Sequence, residues 1–343
     1  MPKIVVVGGS AGSINALKVI LSGLPPDFAA PVLIVTHIGP RESMLPSLLQ
    51  RCSTLPVRHA VQGEPIVPGQ VLIAPPDLHL TIARNDERAF ASLSRGPKEN
   101  HSRPAIDPLF RSAATTHGTG AIAVLLSGFL DDGTVGLQAI KTYGGTTVVQ
   151  DPGTAEAPDM PSSALRHVPV DIIRRVDGIA PALVELVSRP APTLEIPEES
   201  AAVELQNLIA IENRMFNEGA DMEELDRIGS RVPLTCPECG GAIWEMRQSA
   251  PLRYRCHTGH AFSASVLEGL QGSAVEEALW AAVRALHEQE QLFRQMHRTL
   301  RTPRDRTQPD DPKDEYLLKA EQTGQHAQLL RDLIASRIRI SSS

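Results

Sequence analysis

The chain has 343 residues, of which 42% are apolar and 21% charged, a composition that excludes a disordered protein and fits two or three globular domains. The formal net charge is −7, and without a basic face we expect no nucleic-acid partner. No apolar run approaches the roughly 20 residues that cross a bilayer, so we also expect no membrane insertion.

The first 190 residues alternate short β-branched runs with helical patterns. The predicted strands are Lys3–Val7, Val32–Thr36, Gln70–Ala74, Ala121–Leu126 and Thr146–Gln150. The predicted helices are Ile14–Leu24, Met44–Arg51, Pro108–His117 and Thr134–Tyr143. Several strands are apolar throughout, as expected of parallel strands buried on both faces. The alternation predicts an α/β fold with a doubly wound, mostly parallel sheet.

One segment of this region departs from the alternation. Residues 78–94 are typical of an antiparallel hairpin, with Asn85 and Asp86 in its turn. The pattern therefore predicts one hairpin beside the parallel sheet.

The rest of the chain has a different character, because the whole net charge falls after residue 190. We expect four regions: a doubly wound α/β domain at 1–188, an acidic linker and helix at 189–232, a zinc-ribbon-like module at 233–270 and C-terminal helices at 273–343.

The linker and the C-terminal helices are predicted from composition and periodicity. Residues 189–198 are rich in proline, residues 199–218 form an acidic helix pattern, and residues 219–232 are typical of a loop. Two helical stripes follow, at Leu279, Val283, Leu286, Phe293, Met296 and Leu300, and at Leu317, Ala320, Ala327, Leu330 and Ile334. They predict a helical hairpin or a coiled-coil arm suited to a homodimer, and two helices packed on the rest of the protein fit equally.

Three polar residues directly follow predicted strands, where ligands bind in an open α/β sheet. Ser10 lies in the turn GGSAGS after the first strand, His37 follows the second, and Asp132 lies in SGFLDDG after the fourth. Alone, the serine turn is compatible with phosphate binding, the histidine with a structural hydrogen bond, and the aspartate with a helix cap.

Taken together, these residues are the set of a nucleophilic triad. A serine hydroxyl becomes nucleophilic when a histidine takes its proton, and a buried acid orients that histidine. A serine in a glycine turn that opens a helix also lies near free backbone N–H groups, which can bind an oxyanion. The sequence therefore predicts acyl-transfer chemistry at this edge of the sheet.

Residues 1–187 resemble the methylesterase domain of the bacterial chemotaxis receptor methylesterases, the CheB family. The matching segments are GGSAGSINAL, THIGP, GEPIVPGQVLIAPPDLHL, GPKENHSRPAIDPLFRSAA, LLSGFLDDGTVGLQAIKTYGG and VVQDPGTAEAPDMPSSAL. The resemblance implies hydrolysis of glutamyl methyl esters on methylated receptor helices or another methylated signalling protein, and glutamine deamidation as a second reaction. A scaffold that retains the fold without catalysis is the alternative.

The resemblance also implies roles for particular residues. Ser10 is the expected nucleophile, His37 the base and Asp132, rather than its neighbour Asp131, the acid. Ala11 N–H is a candidate oxyanion donor, and Arg103 is either a cleft residue that meets acidic neighbours of the ester or part of a structural salt bridge.

The sequence departs from the family in two places. Ser13 stands where the first motif usually has glycine. The chain also begins at the first strand of the esterase, so we expect no N-terminal receiver domain and no control by phosphorylation within the chain.

A cysteine cluster lies beyond the α/β domain. Cys236, Cys239, Cys256 and His260 form C-x2-C-x16-C-x3-H, a closed set of ligands for structural zinc. Three of the four cysteines fall in this cluster, so we expect a metal site in a reducing compartment, the cytoplasm. His257 is the alternative fourth ligand, and a redox C-x-x-C lacks the βαβ context that it needs. Similar segments occur in stand-alone members of the same esterase family.

Overall fold

The computed structural model describes residues 2–85, 88–191, 201–219, 221–299 and 312–341. These residues form two compact units, 1–267 and 268–343.

A seven-stranded sheet forms the centre of the first unit, and all its strand pairs are parallel. Its strands are β1 Ile4–Gly9, β2 Val32–Thr36, β3 Val57–His59, β4 Val71–Ile73, β7 Ala121–Leu125, β8 Thr146–Gln150 and β9 Ile172–Arg174. The spatial order is β3-β4-β2-β1-β7-β8-β9, which confirms the predicted doubly wound sheet. The short edge strands β3 and β9 have no predicted counterpart, since each is only three residues long and partly exposed.

Two groups of helices cover the sheet. The helices are α1 Ser13–Ser22, α2 Leu45–Gln50, α3 Ile106–His117, α4 Thr134–Thr142, α5 Asp159–His167 and α6 Val176–Ser188. Alternate residues of β1 pack on opposite faces, Val6 in one apolar cluster with α3, α4 and α5, and Val5 in another with α1, α2 and α6. This two-sided burial explains why several of the predicted strands are apolar throughout.

The predicted hairpin is present as β5 His79–Arg84 and β6 Ala89–Ser94, which pair antiparallel. Asp86 of its predicted turn lies outside the described residues.

A four-stranded antiparallel ribbon follows two further helices in the first unit. The elements are α7 Ala201–Glu218, α8 Met222–Ile228, β10 Gly229–Thr235, β11 Ala242–Met246, β12 Arg253–Cys256 and β13 Ala261–Ser263. The stretch 219–232, predicted as a loop, holds α8 and the start of β10. The strand escapes sequence analysis because most of its side chains are exposed and it contains a proline. The ribbon sheet thus begins at Gly229, before the expected boundary at 233.

Buried ion pairs join the ribbon to α3 and α7. Arg111 of α3 makes a bidentate pair with Glu99 at 2.7 and 2.9 Å, and Arg253 makes one with Glu212 of α7 at 2.8 and 3.0 Å. Arg255 of β12 donates to both carboxylates, at 2.7 and 2.6 Å. All five side chains are buried. A buried network of ion pairs therefore anchors the ribbon.

The second unit consists of two helices, the greater part of α9 Ala264–Thr299 and all of α10 Pro312–Ser341. Helix α9 begins directly after β13, earlier than the expected start at 273. The sequence places the start too late because the helix contains two glycines, which are unfavourable inside helices. Val283, Ala320, Ala327 and Ile334 of the predicted stripes are buried. The segment 300–311 between the helices lies outside the described residues. Among the described helices, none is both long and apolar enough to cross a membrane.

Candidate active site and metal centre

The ends of β1 and β2 bring Ser10 and His37 side by side. Gly9 pairs with Thr36 in the parallel register, and His37 N–H donates to Gly9 O at 3.3 Å. Neighbouring strands lie about 4.8 Å apart, so the residues that follow these two strand ends are neighbours across the sheet edge. This is the edge at which α/β enzymes bind ligands.

Ser10 lies in a tight turn that is tied to the end of β7. Ser10 N–H donates to Ser127 O at 2.8 Å, and the turn needs Gly12 at φ 76°, the left-handed region. Gly128 is equally constrained, because a Cβ there would lie 2.8 Å from Ser10 Cβ and 2.0 Å from Met160 Sδ. At the position where the family motif usually has glycine, Ser13 Oγ donates to Ser10 O at 2.6 Å. The serine therefore sits in a small, fixed turn at the start of α1.

Asp132 reaches the same edge from the loop after β7. Its Oδ2 lies 2.7 Å from His37 Nε2 and accepts from Ile106 N–H at 2.8 Å. Its Oδ1 accepts from Asn100 Nδ2 and Gly133 N–H, each at 3.0 Å. Asp132 is 2% exposed, so a buried carboxylate with fixed donors meets one ring nitrogen of His37.

The charge of this carboxylate is stabilised by its partners. Burial alone would raise the pKa of Asp132, but the hydrogen bond from His37 and the Ile106 N–H outweigh burial and lower the pKa to about 2. The neighbouring Asp107 behaves in the opposite way, because burial and the charge of Asp132 raise its pKa well above the usual value. The pKa values of these two neighbouring carboxyl groups are therefore shifted in opposite directions.

The contact with Asp132 occupies one ring nitrogen of His37 and fixes the orientation of the ring. With Nε2–H donated to the carboxylate, Nδ1 is the ring nitrogen left to exchange a proton with a hydroxyl group. Among the described residues no hydrogen bond joins Ser10 Oγ to His37. Such contacts are often long in substrate-free enzymes and shorten when substrate binds.

The two expected substrate-binding residues lie on either side of this centre. Ala11 is in the turn that precedes α1, and no described protein group accepts a hydrogen bond from its N–H. Arg103 lines a groove of about 510 Å³ beside His37. Its Nε and Nη2 donate to Asp77 at 2.9 and 2.7 Å, and Nη1 donates to the carbonyl oxygens of Arg95 and Gly96. These contacts form the structural salt bridge that was one of the two alternatives for Arg103.

Two residues near Asp132 have contacts that the sequence does not indicate. Asn100 donates to Asp132, and Asp131 accepts from Ser263 and Ser265. Asn100 lies inside a segment that matches the family, but nothing in its sequence neighbourhood indicates a partner more than 30 residues away. Asp131 is separated from His37 by its ribbon contacts, while Asp132 holds the ring.

The cysteine cluster lies at one end of the ribbon, where two similar turns meet. The donor atoms of Cys236, Cys239, Cys256 and His260 all lie within 4.8 Å of one another. Cys239 Sγ is 3.9 Å from Cys256 Sγ, and His260 Nδ1 is 3.5 Å from Cys256 Sγ. These spacings match the edges of a tetrahedron around zinc, about 3.8 Å for bonds of about 2.3 Å. The donor set and its spacing fit a zinc ion.

The structure separates the two candidate histidines. His260 Nδ1 points into the cluster, whereas His257 packs flat on Gly241, where a Cβ would lie 2.0 Å from its Cε1. Each turn is closed by paired backbone hydrogen bonds, from Gly240 N–H to Cys236 O at 2.7 Å and from Gly259 N–H to Cys256 O at 2.9 Å. His260, and not His257, therefore supplies the fourth donor atom of the described cluster.

Comparisons with known proteins match the first half of the chain to one family. The family model described as CheB methylesterase matches residues 5–183. A protein of Leptospira interrogans is 40% identical over 183 residues, which are 53% of this chain and 93% of that protein. The Thermotoga maritima protein-glutamate methylesterase/protein-glutamine glutaminase is 37% identical over 186 residues, 54% of each chain. The crystal structure of the Thermotoga maritima CheB methylesterase catalytic domain superposes with a TM-score of 0.53 at 37% identity, covering 55% of this chain and all of that one.

Proposed function

The chain belongs to the CheB methylesterase family, and from this premise we propose that it is a serine hydrolase that removes methyl esters from glutamate side chains of chemotaxis-type receptors. The observation that carries the proposal is the 2.7 Å contact of His37 Nε2 with the buried Asp132, beside the turn that holds Ser10.

The reaction follows from the roles of these three side chains. His37 takes the proton of Ser10, whose Oγ attacks the ester carbonyl, and the same proton then passes to the departing methoxide, which leaves as methanol. Water activated by His37 hydrolyses the acyl-enzyme and frees Ser10. Asp132 remains a carboxylate throughout and stabilises the imidazolium, in keeping with its low pKa.

The negative oxygen of the tetrahedral intermediate needs donors. We propose Ala11 N–H as one of them, because it lies at the positive end of α1 directly after the nucleophile. The same donors serve a glutamine amide, whose hydrolysis has the same tetrahedral geometry, so deamidation is the expected second reaction.

The substrate is a methylated receptor helix or another methylated signalling protein. The groove beside His37 is lined by Lys98, His101, Arg103 and Asp77. The guanidinium group of Arg103 pairs with Asp77, and Glu238 pairs with Lys98 and His101, so charges of both signs border the groove.

The test is methanol release from a methyl-esterified receptor signalling domain. Wild-type protein should release methanol, and Ser10→Ala should not, because the nucleophile is lost while the fold is kept. Equal release by both proteins would refute a serine mechanism. No release by either would favour a scaffold or another methylated substrate.

For the ribbon we propose structural zinc bound by Cys236, Cys239, Cys256 and His260. Four protein ligands leave no open position, so the metal would stabilise the fold rather than react. None of the four cysteines, all of which lie in the described residues, is in a disulfide, and we propose a reducing, cytoplasmic location. We expect one zinc per chain by elemental analysis, lost in His260→Ala and kept in His257→Ala. The opposite pattern would contradict the ligand assignment.

The C-terminal helices are the candidate dimer contact. Leu329 and Leu333 of α10 are 65% and 48% exposed, and a second copy would cover these apolar side chains. Light scattering should show a dimer in the wild type and a monomer in Leu329→Glu/Leu333→Glu. A wild-type monomer at high concentration would exclude this contact.

A further inference from the structure

The amide of Asn100 connects the triad acid to the ribbon. Its Nδ2 donates to Asp132 Oδ1 at 3.0 Å and to Asp107 Oδ2 at 3.2 Å. Its Oδ1 accepts from Ser263 N–H of β13 at 3.0 Å. A backbone N–H can only donate and the ionised Asp132 can only accept, so both ends require the same orientation of the amide.

The backbone around Asn100 is held by the same strand of the ribbon. Asn100 N–H donates to Ala261 O at 2.8 Å. Asn100 and His101 both have positive φ, 50° and 59°, a backbone conformation that is unfavourable for non-glycine residues. Such residues persist where the surroundings fix them, and β13 supplies that constraint here.

A second pair of contacts holds the residue before the triad acid. Ser263 Oγ donates to Asp131 Oδ1 at 2.7 Å, and Ser265 Oγ donates to Asp131 Oδ2 at 2.6 Å. Asp131 is 9% exposed, and these two hydroxyl groups donate to both of its side-chain oxygens. Consecutive carboxylates thus face different ways, Asp131 to the ribbon and Asp132 to His37.

The ribbon end that makes these contacts is itself rigidly placed. Arg255 of β12 is buried and binds Glu99, the neighbour of Asn100, at 2.7 Å. Arg255 also pairs with Ala261 of β13 in the ribbon sheet. Motion of β13 relative to the loop that holds Asn100 would therefore break buried ionic contacts as well as hydrogen bonds.

We propose that the junction of β13 and α9 belongs to the active centre, with Asn100, Ser263 and Ser265 as positioning residues for Asp132. This inference rests on the proposed esterase activity. The residues touch neither substrate nor reacting atoms; they fix the carboxylate that orients His37. Their loss should lower kcat and leave the substrate-binding groove intact.

The test compares Asn100→Ala and Ser265→Ala with Ser249→Ala, a matched ribbon variant. Ser249 Oγ donates to Pro251 O and accepts from Arg253, so it contacts only the ribbon itself. We expect kcat for methanol release to fall about 10-fold in Asn100→Ala and a few-fold in Ser265→Ala, with KM changed less than about twofold. Ser265→Thr keeps the hydroxyl group and should restore kcat, and Ser249→Ala should match the wild type.

A second readout does not depend on activity. The proton shared by His37 Nε2 and Asp132 should give a low-field NMR resonance, shifted or broadened in Asn100→Ala and unchanged in Ser249→Ala. If the wild type releases no methanol, the proposed function fails while this resonance still tests the positioning role. An unchanged resonance in Asn100→Ala overturns the inference, as does a wild-type kcat in both Asn100→Ala and Ser265→Ala. Ser265 is exposed, so its variant is expected to fold even if Asn100→Ala does not.

Discussion

The Glu99→Gln substitution should destabilise the first unit strongly. Glu99 is 1% exposed and accepts three charged hydrogen bonds, two from Arg111 and one from Arg255. The buried group has three arginines and two glutamates, so the change raises its net charge from +1 to +2 without altering side-chain size. Burial would raise the pKa of Glu99, but the two arginines lower it, so the native side chain is an ionised partner.

The size of the effect follows from the burial of the arginines that remain. Removing one partner of a buried ion pair costs about 3–5 kcal/mol, because the other charge stays out of water. At ~2–4 °C for each kcal/mol in a protein of this size, Tm should fall by roughly 10 °C.

The assay is urea unfolding at neutral pH, with Glu185→Gln as the matched control. Glu185 pairs with Arg189 on an exposed face, where both side chains are more than 60% accessible, and such pairs contribute less than about 1 kcal/mol. A Glu99→Gln protein within about 1 kcal/mol of the wild type would refute the claim that this network anchors the ribbon.

Three further predictions concern the acid, the pH response and the nucleophile turn. Asp132→Asn should lower kcat about a thousandfold or more, because His37 loses the acceptor that orients its ring. Asp131→Asn should lower kcat about 10-fold at most. Equal losses of kcat in the two variants would contradict the assignment of Asp132 as the acid. Burial lowers the pKa of His79 and of His117 from 6.5 to about 4. As pH falls, the unfolded chain therefore binds protons at a higher pH than the folded chain does. The free energy of unfolding should decrease between pH ~6.5 and ~4 by up to about 3 kcal/mol per histidine. A urea midpoint that does not change across this pH range would contradict the prediction. Gly128→Ala should unfold or inactivate the protein, since its Cβ would lie 2.0 Å from Met160 Sδ; wild-type melting and kcat would argue against that turn geometry.

The central sheet was predictable because several of its strands are apolar throughout, as strands buried on both faces are. The predicted Val32–Thr36 and Thr146–Gln150 match the observed strands residue for residue, and every residue of both except Thr146 is buried. The edge strands β3 and β9 were missed because short, half-exposed strands lack this signature. The same reason hides β10, which is held by pairing with β11 rather than by a buried face.

The residue types of the candidate site were also predictable, but their connections were not. Ser10, His37 and Asp132 each follow a strand, and strand ends meet at one edge of a sheet. Asn100 and Ser263 are 163 residues apart, and no local pattern links an asparagine in a loop to a strand of another module. Contacts of this kind depend on how the ribbon packs, which periodicity and motif spacing do not encode.

Titration of Ser10 with a fluorophosphonate, while methanol release from a methylated receptor domain is measured, is the most direct test of the serine mechanism. One adduct on Ser10 per chain, with activity falling in proportion to the labelled fraction, is the predicted result. Full release by protein whose Ser10 is completely labelled would contradict the serine mechanism, as would loss of activity with the label on another residue.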